Sequence, residues 1–384
     1  MKLLFVTGSL VHGGPERHAI TLANRLAERG HECHFAYVKD DPSQLERLRG
    51  AASVRCLHAR RYFDRRALGE LAALIARVAP THLLAANAYA LFYASLARTR
   101  SRSRPPLGVV WHTTKPASGK ERLQMAYYRP FFWRADWLAY VCENQRRYWR
   151  RRALWARRVD VIHNGIDLEY WQPGSEEASR ALRAELGFAG SDLVLGMSAV
   201  LRPEKNHLQL VEAVARLRAR NLPARALLIG DGPMRAAVEA RARALGVAPH
   251  VRIAGFQSDV RPLVAACDAI VLCSTAVETF SLAALEAMAL ARPVVQSDIG
   301  GAAEMTLHGE TGYLFPVGET GVLVERLAAL AEPARRRRMG GAARALVEGR
   351  FSERTMVERY EQALSELARQ RRNNGNVRKP AGAY

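Results

Sequence analysis

The chain opens on a continuous apolar run, KLLFVTGSL, which ends at glycine. In the following PERHAITLANRLAERGH, Ile20, Leu22, Ala23 and Leu26 recur at helical spacing and Gly30 closes the segment. ECHFAYV then reads as a second strand, completing a βαβ unit. The alternation continues with helix 67–78, strand THLLAA, helix 89–98, strand LGVVWH, helix 120–133, strand WLAYVC, helix 144–156 and strand RVDVIHNG. After DLEYWQPGSEE it restarts. Strand DLVLGMSAV, helix 205–220, strand ARALLIGDG, helix 233–244, strand VRIAGF, helix 258–266 and strand AIVLCS follow. Helix 281–290, strands PVVQS and GYLFPV, helices 320–331 and 333–348 and a last helix in SERTMVERYEQALSEL complete the pattern. Strand–helix alternation run through twice predicts the α/β class: two doubly wound, Rossmann-like domains. The expected bounds are 1–172 and 173–351, with helix 352–368 packing back on the first domain and a disordered basic tail at 369–384.

A length of 384 residues suits two such domains, each with its own core. Five scattered cysteines, none in a CxxC pair, argue against a disulfide framework or structural zinc and favour a reducing compartment. The first apolar run is broken by Gly8 with no cleavage site after it, so it reads as a strand rather than a signal peptide. No run approaches the length that spans a bilayer. The formal charge of +20 favours an acidic partner: nucleic acid, anionic lipid or a phosphorylated substrate.

Ligands of doubly wound sheets sit at the carboxyl ends of strands. After the first strand, GSLVHGGPE carries Gly13 and Gly14, which bring bare amides to a helix N-terminus or simply make a tight turn. The spacing is not GxGxxG, so a dinucleotide site is unsupported. After the first strand of the second half, Arg202 and Lys205 stand three apart in LRPEKNH. They form either a diphosphate clamp, fork plus point charge, or a solvated basic turn. IGDGPM places Gly230 in another glycine turn, and Phe256 follows the next strand, as a nucleobase platform or a core residue. ETFSLAALE holds Glu278 in a loop and Glu286 more than a turn into an apolar helix, with the amides of Phe280, Ser281 and Leu282 open at its start. The two acids can flank one ligand lying across that helix start, Glu278 at its polar head and Glu286 at a ribose. An ion pair to a core arginine is the alternative for Glu286. There is no Asp-x-Asp after a strand, against a metal-dependent donor site.

VIHNGID, LRPEKN, IGDGP, ETFSLAALEAMALARPVV and GETGYLFPVG occur in that order. Together they resemble a family four retaining glycosyltransferase of the GT-B fold, over nearly the whole chain. The resemblance implies two domains facing across a cleft that closes to exclude water, and a nucleotide-diphosphate sugar, UDP-linked, as co-substrate without cofactor or metal. It implies that Arg202 and Lys205 hold the donor diphosphate, Glu278 the sugar and Glu286 the ribose. Gly13 and Gly14 resemble the glycine loop facing the donor phosphates, and His112 the histidine near the anomeric centre. Family members often carry glycine where Ser281 stands. Retention in the family is ascribed to front-face attack, a donor phosphate oxygen taking the acceptor's proton. HNGID reads as a structural turn beside the linker.

Between Arg122 and Arg158 lie ten arginines, two acids and ten aromatics. This mix suits an anionic membrane surface, and so a glycan or lipid-linked acceptor and a cytoplasmic enzyme peripheral on the inner face of the membrane. Core aromatics beneath a solvated arginine face give the same composition. The rival functions are a sugar-nucleotide epimerase of the same fold, a phosphorylase, for which lysine is scarce in the second half, and a basic nucleic-acid-binding protein, for which no recognised module is present. The reading carried forward therefore has no nucleic-acid partner.

Overall fold

Parallel strands covered on both faces need uninterrupted apolar runs, and a computed structural model of the chain puts such runs at the centre of two sheets. It describes residues 1–376 apart from His12, residues 115–117 and Val277, with side chains to residue 370. The chain divides into two units, Met1–Asn164 with Thr355–Tyr384, and Gly165–Arg354.

In the first unit the strands are β1 (Lys2–Thr7), β2 (Glu32–Tyr37), β3 (Ser53–Cys56), β4 (His82–Ala86), β5 (Leu107–Trp111), β6 (Trp137–Tyr140) and β7 (Arg158–Val161). They form one parallel sheet in the order β3-β2-β1-β4-β5-β6-β7. Helices α1 (Gly14–Glu28), α2 (Arg65–Val78), α3 (Asn87–Arg100), α4 (Gly119–Trp133) and α5 (Glu143–Arg150) cover it. α5 stops well short of the expected 156. Ala153 takes a left-handed conformation, and Leu154 folds back to donate to the Trp149 carbonyl.

The second unit begins with α6 (Glu176–Glu185). Its strands are β8 (Leu193–Ser198), β9 (Ala224–Ile229), β10 (Val251–Gly255), β11 (Ala269–Leu272), β12 (Val294–Ser297) and β13 (Gly312–Phe315). The sheet order is β10-β9-β8-β11-β12-β13. The helices are α7 (His207–Ala219), α8 (Arg235–Ala244), α9 (Arg261–Ala265), α10 (Leu282–Ala289), α11 (Ala302–Met305), α12 (Thr320–Ala328) and α13 (Pro333–Arg350). Both sheets reverse direction of growth beside their first strand, β1|β4 in one and β8|β11 in the other.

The last helix, α14 (Glu353–Asn376), belongs from Thr355 onward to the first unit. Tyr360 is fully buried against Trp137 and His18, Glu361 pairs with Arg29 and His31, and Glu366 pairs with Arg158. The helix runs on to Asn376, past Arg369 where a disordered tail was expected. Arginine and glutamine propagate an established helix at little cost.

The division at Asn164/Gly165 falls ahead of the 172/173 boundary read from the sequence. Ile166 pairs with Ser352, its amide donating to Phe351 and its carbonyl accepting from Glu353, so the segment after HNG is bound into the second unit. Gly165 makes this possible. A Cβ there would stand 2.6 Å from the Ser352 carbonyl oxygen and 2.7 Å from Glu353 Cα, both backbone. Gly165→Val is expected to cost about 1–3 kcal/mol, read as a lower urea midpoint at unchanged m-value.

Candidate donor site and the family

At the β8|β11 reversal, the loops after both strands meet. A 3₁₀ turn, Pro203–Lys205, follows β8, and the loop 274–281 follows β11. The Thr275 amide donates to the Glu204 carbonyl at 2.9 Å, tying loop to turn. Lys205 Nζ lies 2.6 Å from Glu278 Oε2. The Ser274 hydroxyl donates to the same oxygen at 3.0 Å, and Ser297, at the end of β12, donates to the Ser274 carbonyl at 2.7 Å. Lys205 and Glu278, read from separate motifs, therefore share one ion pair within one unit. Arg202, on the same turn, is exposed.

Glu278 is also held from the far side. Gly301 N–H donates to the Thr279 carbonyl at 2.7 Å. At Gly300, which has φ +62°, an added Cβ would overlap the Glu278 carbonyl group. The sequence reading passed over this glycine. Its signal was the Gly-Gly pair two residues after the PVVQS strand.

Ser281 caps α10, its hydroxyl accepting from the Ala284 amide at 3.3 Å. The serine in the place of glycine thus turns its oxygen toward its own helix. The Phe280 ring is buried edge-on against Phe351. Leu282 is the first helical residue, and Glu286, one turn on, is 6% exposed. Gly230 has a different role from an anion-binding amide. Its N–H donates to the Gly255 carbonyl at 2.9 Å, and its missing Cβ lets the β9 turn lie against the Ala199 carbonyl on the approach to Arg202. Phe256 is 80% exposed, so it is not a core residue, and it stands just past β10. Next to the clamp, burial and the Lys205 charge hold the His207 imidazole down to about 4, neutral near pH 7.

In the first unit, Gly13 caps α1 and Gly14 opens it. A Cβ on Gly13 would meet the Glu16 carboxylate at 2.5 Å, and burial raises the Glu16 pKa. His112 directly follows β5, and its amide donates to Asn87 Oδ1 at 3.1 Å. His18, on the second turn of α1, packs edge-on against His112 with ring centroids 4.8 Å apart. Sequence reasoning missed His18, whose signal was its place one turn into the helix that Gly14 starts. Burial pushes both imidazoles down, His18 to about 4 and His112 well below the usual range, with His18's proximity adding to the second shift.

This has a consequence for stability. From about pH 6.5, the ordinary imidazole value, down to about 4, the unfolded chain binds a proton at His18 that the folded chain refuses. Stability present above pH 6.5 is therefore lost as pH falls through this window, by about 3 kcal/mol at most. His18→Phe should flatten the fall in urea midpoint over that range. An unchanged slope would contradict the assignment.

Among the described residues one group of three possible metal ligands comes together: Asp40 after β2, Cys56 at the end of β3 and His58 just past it. All five cysteines are free thiols.

Residues 12–170 match the family model described as Glycosyltransferase Family 4, and residues 178–346 match Glycosyl transferases group 1. The chain belongs to these glycosyltransferases.

Relatives agree. The chain is 32% identical over 203 residues to the putative glycosyltransferase EpsD of Bacillus subtilis, covering 52% of this chain and 53% of EpsD. It is 33% identical over 216 residues to the N-acetyl-alpha-D-glucosaminyl L-malate synthase of Bacillus anthracis, covering 56% and 55%. The match thus spans about half the length of these two relatives. It is 28% identical over 358 residues to the lipopolysaccharide core biosynthesis glycosyltransferase LpsE of Rhizobium meliloti, covering 92% and 96%. The crystal structure of Anabaena Alr3699/HepE in complex with UDP superposes with a TM-score of 0.85 at 24% identity, covering 95% of this chain and all of that one. Sucrose-phosphate synthase from Thermosynechococcus elongatus gives 0.80 at 20% identity, covering 96% and 99%. These likenesses show the fold, the two Rossmann-like domains of GT-B glycosyltransferases.

Proposed function

We propose that this glycosyltransferase moves a sugar, with retention and without a metal, from a UDP-linked donor to a cell-envelope glycan or lipid-linked acceptor. The observation that carries the reading is the Lys205–Glu278 pair at the β8|β11 reversal of the second sheet. That reversal is where a doubly wound sheet opens a crevice for a nucleotide. The UDP bound to Alr3699/HepE and the lipopolysaccharide role in LpsE's name support the choice of donor and acceptor.

In this reading the diphosphate takes Lys205 and Arg202 as counter-charges. Both meet the negative charge that grows on the leaving group as the glycosidic bond breaks, the largest stabilisation open to such a reaction. Two cations and the start of α10 suffice for this, which removes the need for a bridging metal. Glu278, held by Ser274, keeps an acceptor oxygen for a sugar hydroxyl when Lys205 turns to the phosphate. Glu286 receives the ribose and Phe256 offers its exposed ring to the base. His112, kept neutral by burial, suits a hydrogen bond to a sugar hydroxyl better than a role as a charged acid. The test is a thermal-shift screen of nucleotide sugars on the wild type and on Arg202→Ala. A stabilising hit should weaken in the variant; a hit that survives undiminished refutes the clamp.

The acceptor side rests on the basic stretch. Five of its aromatics, Tyr128, Phe132, Trp137, Tyr140 and Trp149, are core. What remains outside is a smaller patch: Leu123 and Tyr127 on α4, the stacked rings of Trp133 and Trp155, and arginines 134, 150, 151, 152 and 157. No helix among the described residues is long and apolar enough to cross a membrane, so this patch is the proposed means of contact with an anionic membrane surface. Flotation with anionic vesicles should carry the protein up at low salt, and Trp133→Ser with Trp155→Ser should leave it at the bottom. Absence of flotation at low salt refutes the membrane reading.

A further inference from the structure

The second unit holds another basic cavity, at the amino ends of its strands and so opposite the donor loops. It measures ≈ 470 Å³ and opens between α6, the residues just before β11 and β12, and the start of α13. Five arginines line it, Arg180, Arg183, Arg292, Arg336 and Arg337, against two acids, Glu176 and Asp268.

The five arginines fall into two sets. Arg183 and Arg336 both pair with Asp268, which lies immediately before β11. Arg183 Nε also donates to the Ala266 carbonyl, and Arg336 to the carbonyls of Leu330 and Ala331. These two hold α6 and α13 to the sheet and have little left to offer. Arg292 is different. It sits between α10 and β12, and its Nε is buried with no hydrogen-bond partner among the described residues. Burial pushes its pKa down, with Asp268 and Glu176 offsetting this only in part. A guanidinium cannot shed its proton, so such a group is costly unless an anion reaches it. Arg180 and Arg337 stand exposed at the rim, on α6 and α13, and neither has an ion pair among the described residues.

We propose that this cavity binds a phosphate-bearing small molecule, Arg292 holding its anion from below and Arg180 and Arg337 closing on it from the rim. The volume is in the range of small-ligand sites. Two guanidinium groups without an ion pair among the described residues, and a third whose Nε has no hydrogen-bond partner, exceed what one carboxylate can satisfy and match the several oxygens and higher charge of a phosphate ester or pyrophosphate. The site is separate from the donor clamp, which lies at the other end of the same strands.

Calorimetric titration of the full chain with inorganic pyrophosphate tests this. Arg202→Ala, which weakens the donor clamp, should leave a pyrophosphate isotherm in place. On that background Arg180→Ala with Arg337→Ala, both surface changes that spare the fold, should weaken it by about tenfold or more, the loss expected for charge-assisted hydrogen bonds. Arg292→Gln should do the same. Parallel titrations with orthophosphate and a sugar monophosphate separate a free inorganic anion from an ester, and binding of either supports the site. Complete loss of pyrophosphate binding in Arg202→Ala alone would place the only site at the donor clamp. An affinity unchanged by the Arg180/Arg337 pair would equally overturn the proposal. The first result would overturn this site while supporting the donor clamp, and the second leaves the clamp's assignment untouched, so failure here is distinct from failure of the proposed function.

Discussion

Lys205→Ala is expected to lower kcat/KM for sugar transfer by roughly 10²–10³-fold, the loss found when one preorganised group facing developing charge is removed. The size follows from geometry. Lys205 is half-buried in a turn that is bonded through Glu204 to the loop carrying Glu278, so its ammonium is placed before a ligand arrives. Removing it also strips Glu278 Oε2 of the Lys205 ammonium, while the Ser274 hydroxyl still donates to that oxygen. The two residues should therefore behave as a unit. Glu278→Gln added to Lys205→Ala should cost far less than Glu278→Gln alone. Initial rates with a UDP-sugar for the four proteins of this cycle decide it. Additive losses would mean that the ion pair has no part in transfer.

Gly300→Val is the second large effect. Gly300 contacts no proposed ligand, yet its left-handed backbone and the overlap a Cβ would make with the Glu278 carbonyl leave no room for a side chain. The loop holding Glu278 must move, and a displacement of about 1 Å at a reacting group costs on the order of 100-fold. The expected signature is a fall of that order in kcat with a smaller change in nucleotide affinity, since Lys205 and Arg202 lie on a different loop. Gly301, next door, takes φ −90°, a backbone open to any residue, so the left-handed strain is particular to Gly300. Equal activity of Gly300→Val and wild type would show that the Glu278 loop is not position-sensitive.

How far these features could be read in advance depended on the physics behind each. Strands such as β1 and β8 were visible because both faces are buried, which writes them as apolar runs. β3 was missed because it is a sheet edge, with Val54 and Arg55 exposed and its ends half-buried. α6 was missed because none of its residues is buried, so its helical period carries no apolar stripe. Arg202, Lys205, Glu278 and Glu286 could be picked out because charged residues beside apolar strand ends and inside an apolar helix need a reason. The partners that set their positions could not. Gly300, Ser274 and Ser297 act through backbone and hydroxyl contacts between loops distant in sequence, and small residues leave no pattern along the chain. Phe256 and Gly230 show the same limit in reverse, since only the fold tells which ring is bare and which amide is already bonded.

The central claim is that a nucleoside diphosphate lies across the β8 and β11 strand ends, gripped by Lys205 and Arg202. A crystal structure of the chain with UDP tests it most directly. The account predicts pyrophosphate oxygens within hydrogen-bond reach of Lys205 Nζ, the Arg202 guanidinium and the first amides of α10, with the ribose on Glu286. Nucleotide density elsewhere, with those strand ends empty and Lys205 still turned to Glu278, would contradict it.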